Sequence, residues 1–226
     1  QALSLDPGDI ASLVALGSVF EARGNLDDAI AILERAYALD ASDVLKQRIE
    51  RLRERAQTSG LPPEFAAIPG LAQVTRGDVA ALIGVRLQPL LAAAKTRPAT
   101  VATDVRGHWA SRWIVEVIRA GVMDVFSNHT FQPKAVVRRS DLAQAVNRVL
   151  ALAGASPGRA ERNRVNMPDV GATHLRYDDI AGAVAAGVLS LDGGNFRPSR
   201  AVTGQEAAEA VRRLEQAAAR ARTGSR

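Results

Sequence analysis

The sequence contains no cysteine and few aromatic residues. Without cysteine, neither disulfide bonds nor thiolate chemistry are available, and a location outside the cytoplasm is neither required nor excluded. Aromatic residues make up only 4% of the chain, whereas alanine, leucine and valine are abundant. This composition favours closely packed helices over sheets, so we expect an all-α fold.

Lysine is also nearly absent, because the chain has 26 arginines against 3 lysines and a net charge of +5. A GC-rich genome produces the same bias, so the basic composition alone is weak evidence for an anionic partner. Arginine nevertheless carries the planar fork of donors that binds carboxylate or phosphate bidentately. The basic residues are scattered and no nucleic-acid-binding motif is present, so we expect no nucleic-acid partner.

Two further absences bear on function. No apolar run is long enough to cross a bilayer, so no transmembrane segment is expected in this chain. The three histidines, His108, His129 and His174, are separated in sequence, and neither a phosphate-binding loop nor a catalytic triad pattern occurs. We therefore expect no enzymatic activity, no cofactor and no metal site.

The N-terminal part repeats at an interval of 34 residues, since Leu5-Asp6 recurs as Leu39-Asp40. The apolar spacing predicts helices over 10–23 and 26–39 joined by a turn at Gly24-Asn25, followed by a charged, solvated helix over 43–57. The positions that carry the pattern are Leu13, Leu16, Gly17, Phe20, Ala29, Leu33 and Ala36.

This pattern resembles the tetratricopeptide repeat, a helical hairpin that stacks into arrays. The resemblance implies that residues 1–57 end such an array, with 1–5 as the tail of an earlier repeat and 43–57 as the polar capping helix. Because the chain starts inside a repeat, we expect a fragment of a larger protein whose targeting signal is missing. The resemblance also implies a protein-binding face near Leu13, Phe20 and Arg23.

A second, longer repeat begins after the Pro- and Gly-rich segment 58–70, which breaks the helical pattern and marks a domain boundary. Its landmarks recur at intervals of 65 or 66 residues, and Val74 precedes Val137 by 63. The recurring pairs are Asp104 and Asp169, His108 and His174, Gly121 and Gly187, Phe131 and Phe196, Pro133 and Pro198, and Val137 and Val202. Several landmarks that recur at nearly the same interval indicate three copies of one unit.

The central copy resembles the S-layer homology module, a helix-loop-helix unit of bacterial cell envelopes. The matching residues are Asp104, His108, Trp109, Ala110, Ile114, Gly121, Phe131, Pro133, Val137 and Arg139. The resemblance implies a pseudo-threefold arrangement of three modules within 58–220: a truncated one at 58–94, a full one at 101–153 and a degenerate one at 168–220. A basic tail at 221–226, expected to be disordered, follows.

The second helix of each copy begins with a capping signal. Thr75 with Asp78, and Thr203 with Glu206, have the spacing of a capping box. In the central copy Arg138 replaces the capping threonine, so that helix start needs another partner.

The residue that follows each capping position is the candidate for ligand binding. Members of the family that bind envelope polysaccharide use an arginine here to contact acidic sugars, so the resemblance implies Arg76 and Arg139 as candidates, with Trp109 nearby. Gly204 stands at this position in the third copy. The alternative is that both arginines form internal ion pairs or face solvent, and that Trp109 packs between helices.

Two hypotheses follow for a non-catalytic protein of the bacterial cell envelope, outside the cytoplasm. In the first, the modules anchor the chain to an anionic envelope polysaccharide while the tetratricopeptide part binds a protein partner. In the second, the degenerate modules have lost glycan binding and dock other protein subunits as a scaffold.

Overall fold

A computed structural model describes residues 9–95 and 101–224, and within these ranges the regular elements are helices, so the fold is all-α. The chain divides into two compact units, an N-terminal unit (Gln1–Leu61) and a C-terminal unit (Pro62–Arg226). The repeat tail predicted at 1–5, most of the linker after Lys95 and the last two residues of the basic tail lie outside the described residues.

The N-terminal unit contains three helices: α1 (Ile10–Ala22), α2 (Leu26–Leu39) and α3 (Asp43–Thr58). They confirm the helices expected from the apolar spacing to within a residue at each end. Gly17 lets α1 and α2 pack closely, because a Cβ atom there would lie 2.8 Å from Leu33 Cγ. Gly24 ends α1 in the left-handed conformation (φ +78°) that glycine adopts without steric cost.

Ion pairs fasten α3 to the preceding hairpin. Arg48 and Arg55 bind the Glu21 carboxylate at 2.8 and 2.9 Å, and Arg53 binds Glu34. The basic face of α3 therefore serves packing at these three positions.

The residues predicted to form a protein-binding face of this unit differ in exposure. Leu13 is fully buried in the core beside Leu33, so its assignment to a binding face is wrong. Phe20 is half-buried and packs on the same core, whereas Arg23 is exposed at the end of α1.

The C-terminal unit contains eight helices within its described residues and one 3₁₀ turn, Ile68–Gly70. The helices are α4 (Pro63–Ala67), α5 (Arg76–Arg86), α6 (Gln88–Ala93), α7 (Ser111–Arg119), α8 (Arg139–Leu152), α9 (Arg159–Arg162), α10 (Tyr177–Ala185) and α11 (Gly204–Gly224). Helix α11 packs against α5 and α8, while α7 packs on α5 and α10 on α8. Helix α11 runs through residues 221–224, so a disordered tail is wrong for these four residues.

Three equivalent valines hold the centre of the C-terminal unit together through their backbones. The Val137 N–H donates to the Val74 carbonyl at 2.9 Å, and the Val202 N–H donates to the Val137 carbonyl at 3.0 Å. The Val74 N–H then donates to the Val202 carbonyl at 2.9 Å, which closes a ring of three hydrogen bonds. All three side chains are buried, and the ring joins the same positions that the repeat offsets align.

Candidate ligand-binding groove

The amides at the starts of α5, α8 and α11 are occupied by backbone carbonyls from another copy of the repeat. The N–H groups of Arg76, Arg139 and Gly204 donate to the carbonyls of Ala135, Arg200 and Leu71 at 2.8–2.9 Å. A free helix N-terminus binds anions through such amides, but here these donors are already used. At α5 and α8 the next two N–H groups also have acceptors, so a ligand at these two helix starts must be bound by side chains.

Side chains complete the helix caps in three different ways. At α5 the predicted capping box is confirmed, since Asp78 Oδ2 accepts the Thr75 N–H at 2.7 Å and Thr75 Oγ1 accepts the Asp78 N–H. At α8 Asp141 Oδ2 accepts the Arg138 N–H at 3.2 Å. At α11 the Glu206 N–H donates to Thr203 Oγ1, while the Glu206 carboxylate turns towards two arginines.

Two equivalent aspartates clamp the loops that precede α8 and α11. Asp104 accepts the N–H groups of Phe131 and Gln132 at 2.7 and 2.8 Å, and Asp169 binds the amides of Phe196 and Arg197 in the same way. Gln132 and Arg197 both adopt φ +56°, an uncommon conformation for residues with a side chain, and the two carboxylates hold the backbone there.

These hydrogen bonds predict a loss of stability in acid. Burial raises the pKa of Asp104 and Asp169, but the donated backbone N–H groups outweigh it and leave each pKa below its usual value. A pKa lowered by folding adds stability above the unfolded value of about 3.9, and this stability is lost as the pH falls through the folded pKa. We expect the free energy of unfolding to drop below about pH 4, by about 1 kcal/mol for each of these solvent-exposed aspartates.

Urea unfolding at pH 7, 5, 4 and 3 tests this, with tryptophan fluorescence as the signal. Both tryptophans, Trp109 and Trp113, belong to the C-terminal unit, so the signal reports on that unit. The Asp104→Asn, Asp169→Asn double variant should start less stable at pH 7 and lose less on acidification. An unchanged dependence on pH in this variant would refute the clamp as its source.

Arg76 lies at the start of α5 with its guanidinium stacked on two phenylalanines. Its Nε and Nη2 donate to the carbonyls of Phe131 and Asp124 at 2.8 and 2.7 Å, and Cζ lies 4.5 and 4.9 Å from the ring centres of Phe131 and Phe126. Burial lowers the pKa of Arg76, and the nearby carboxylates of Asp141 and Asp124 oppose that shift. Within the described part of the chain, no carboxylate forms an ion pair with it.

A groove of about 480 Å³ opens beside Arg76. Its wall combines cations, two carboxylates, a hydroxyl, an amide and apolar surface, with Arg76, Phe126, Val136, Arg138, Ser140 and Gln144 among the lining residues. The carboxylates belong to Asp124, which forms an ion pair with Arg148, and to Asp141, which accepts the Arg138 N–H. Phe126 and Val136 are 44% and 47% exposed, which is high for apolar side chains in a cleft. An apolar face beside hydrogen-bonding groups and a cation suits a sugar ring that bears a negative charge.

Arg139 occupies the equivalent position in the next copy, but it is not available to a ligand. Its side chain is 4% exposed and forms an ion pair with Glu206. Its Nη2 also donates to the Ser190 carbonyl at 2.6 Å, and the guanidinium stacks on Phe196 at 4.6 Å. The expectation that Arg139 contacts a glycan is therefore replaced by the alternative of an internal ion pair.

The third copy has no room for a side chain at Gly204. A Cβ atom on Gly204 would lie 2.8 Å from the Ile68 carbonyl carbon and closer still to its oxygen. The 3₁₀ turn of the truncated copy thus occupies the space that the arginine fills in the other two.

Trp109 lies away from the groove wall described above. Its ring packs edge-on against Trp113 at 5.9 Å and beside His108, and Trp113 in turn covers Gly84 of α5. The structure brings neither Trp109 nor Arg139 to Arg76, and the packing alternative applies to Trp109.

Most of the groove could not be predicted from the sequence. Phe126, Val136, Arg138, Ser140 and Gln144 lie between the repeat landmarks, on a turn, an extended segment and the first turns of α8. Of these, Arg138 stands out in the sequence because it replaces the capping threonine, whereas the other four follow no periodicity that could have identified them.

Two features are absent from residues 9–95 and 101–224. No helix in these ranges is long and apolar enough to span a bilayer. The same residues contain no cluster of three or more His, Asp or Glu side chains placed to bind a metal ion.

Comparison with known proteins identifies two segments of the chain. Residues 103–143 and 166–208 match the S-layer homology domain, and these segments contain Arg139 and Glu206, whereas Arg76 precedes them. A cellulosome-anchoring protein of Acetivibrio thermocellus is 27% identical over 93 residues, which are 41% of this chain and 20% of that protein. The match thus spans about a fifth of the length of this relative.

Proposed function

We propose that the C-terminal unit is a non-catalytic module that binds an anionic polysaccharide of the bacterial cell envelope through the Arg76 groove. The observation that carries the proposal is a cation without an ion-pair partner among the described residues, at the wall of an open and partly apolar groove. Two S-layer homology segments and the anchoring role named for the relative support a location at the cell surface, outside the cytoplasm.

The groove suits a carboxylated sugar for physical reasons. Two donors of Arg76 are spent on carbonyls that aim the guanidinium, and two phenyl rings fix its plane, so little side-chain entropy remains to be lost on binding. Its remaining N–H groups can bind a carboxylate, while Ser140 and Gln144 offer partners for sugar hydroxyls and Phe126 offers an apolar face.

A second candidate function is protein docking within an envelope complex. It is favoured by the second and third copies, in which no arginine is available to a ligand at the start of the second helix. Arg139 forms an internal ion pair, and Gly204 has no side chain. In that case the N-terminal unit, which resembles a tetratricopeptide array, binds a protein partner and the C-terminal unit serves as a scaffold.

Sedimentation with purified cell-wall sacculi separates the two functions. We expect the wild type to pellet at 0.15 M salt and Arg76→Ala to bind at least about tenfold more weakly, because a hydrogen bond to a charged group contributes about 1.5–3 kcal/mol. Arg76→Lys keeps the positive charge but loses the planar set of donors, so its binding should be weaker than that of the wild type and stronger than that of Arg76→Ala. Arg119→Ala, which removes an exposed arginine at the end of α7, should bind like the wild type.

Sacculi from which the polysaccharide has been extracted provide the control for the ligand. Binding that persists on extracted sacculi, or that Arg76→Ala leaves unchanged while its circular dichroism is native, would contradict glycan binding through this groove. A wild type that does not pellet at all would favour the docking function.

A further inference from the structure

The third residue of α5, of α8 and of α11 is acidic, but the length of its side chain differs between the copies. Asp78 and Asp141 are short and turn back to the backbone N–H that precedes their own helix, at 2.7 and 3.2 Å. Glu206 is one methylene longer and reaches across to Arg139 of the neighbouring copy. By the order of the ring, Asp141 is the acid that faces Arg76 as Glu206 faces Arg139, and it lies near enough to oppose the shift in the pKa of Arg76.

The two grooves also differ in the residue whose carbonyl accepts the first N–H of the helix. Ala135 and Arg200 are equivalent, since their carbonyls accept the first N–H of α5 and of α8 respectively. Arg200 Nη2 donates to the second oxygen of Glu206 at 2.7 Å, so the carboxylate is held from both sides. Ala135 offers no such donor, and among residues 9–95 and 101–224 no arginine holds the Asp141 carboxylate against Arg76. The other acid of the groove wall, Asp124, forms an ion pair with Arg148.

We propose that Glu206, positioned by Arg200, is a built-in counter-anion that closes the second groove. The length of this acid then decides which arginine an acidic sugar can reach, and the C-terminal unit offers one arginine site out of three equivalent positions. The third position is closed by the Ile68 carbonyl instead. This inference rests on the proposed function for its ligand, whereas the closure itself is a property of the chain.

A reciprocal exchange tests the closure. Glu206→Asp with Arg200→Ala gives the second groove the residues of the first, and is called here the opened variant. Asp141→Glu with Ala135→Arg gives the first groove the residues of the second, and is the closed variant. Both variants alter two positions that are at least partly exposed and leave Arg76 and Arg139 in place.

The first readout needs no glycan. Phenylglyoxal reacts with accessible guanidinium groups, and peptide mass spectrometry locates the adducts. In the wild type we expect Arg76 to react at least about tenfold faster than Arg139. The opened variant should make Arg139 reactive, and the closed variant should protect Arg76. Equal rates for the two arginines in the wild type, or an unreactive Arg139 in a natively folded opened variant, would overturn the closure.

The second readout is sedimentation of the same variants with sacculi. The closed variant should lose binding about tenfold, the loss expected for Arg76→Ala, and the opened variant should bind at least as strongly as the wild type. A closed variant that protects Arg76 from phenylglyoxal but still pellets normally would contradict the Arg76 glycan site while leaving the closure intact. The two hypotheses therefore fail separately.

Discussion

Gly204→Ala is expected to destabilise the C-terminal unit by about 3 kcal/mol or more, since a forced overlap in a packed interior is among the costliest substitutions. The new methyl group would overlap the Ile68 carbonyl, and Ile68 is fully buried. That carbonyl also accepts the Leu71 N–H at 3.0 Å, while the Leu71 carbonyl accepts the Gly204 N–H. The turn therefore cannot move away without breaking its own hydrogen bonds.

Urea unfolding followed by tryptophan fluorescence measures this change in the full chain. Gly70→Ala is the matched control, because Gly70 belongs to the same 3₁₀ turn, has an ordinary φ and has open space around a new Cβ. It should alter the free energy of unfolding by less than about 0.5 kcal/mol. A Gly204→Ala variant as stable as Gly70→Ala would show that the turn yields, and that the third position is open to larger side chains.

Arg139→Met is expected to cost about 2–3 kcal/mol of stability. Removal of one partner from a buried ion pair leaves the other charge uncompensated, which costs about 3–5 kcal/mol when both groups are fully buried. Glu206 is 18% exposed and keeps its bond to Arg200, so the loss should lie below that range. The variant should still pellet with sacculi, because Arg139 is absent from the Arg76 groove.

A double-mutant cycle isolates the pair. Glu206→Gln should cost less in the Arg139→Met background than in the wild type, because the carboxylate has then already lost one of its two arginine partners. Arg76→Met is the comparison at the equivalent position and should cost less, since it breaks no ion pair among the described residues. Additive losses in the cycle would mean that Arg139 stabilises the unit mainly by stacking on Phe196.

The fold was more predictable from sequence than the site, for a physical reason. Repeat offsets identify equivalent positions, and Val74, Val137 and Val202 are indeed joined in one ring. The equivalence of two repeat positions does not show, however, which side chains contact them. Arg139 is paired with an acid 67 residues further on, whereas the acid at the equivalent position for Arg76 is one methylene shorter and turns back to its own helix start. In the closure that we propose, this difference decides which arginine is open to a ligand.

Burial was predicted less well than helix position. The spacing located α1 and α2 closely, yet it could not show that Leu13 points at Leu33 and not at a partner. An apolar residue on an amphipathic helix serves the core or a binding face equally well in sequence. Trp109 shows the same limit, because packing against Trp113 and stacking on a sugar require the same side chain.

The ring of three valines also limits how such a protein can evolve. An open solenoid gains or loses units at its ends, since each unit contacts only its neighbours. A closed cycle has no end, so deleting a copy leaves two unsatisfied edges and a fourth copy has no place to join. Val74 and Val202, which close the cycle, lie about 130 residues apart, so closure should come late in folding and fail as a whole when either terminal copy is damaged. The first copy, although short, completes the ring, because its extended segment at Val74 both donates to Val202 and accepts from Val137.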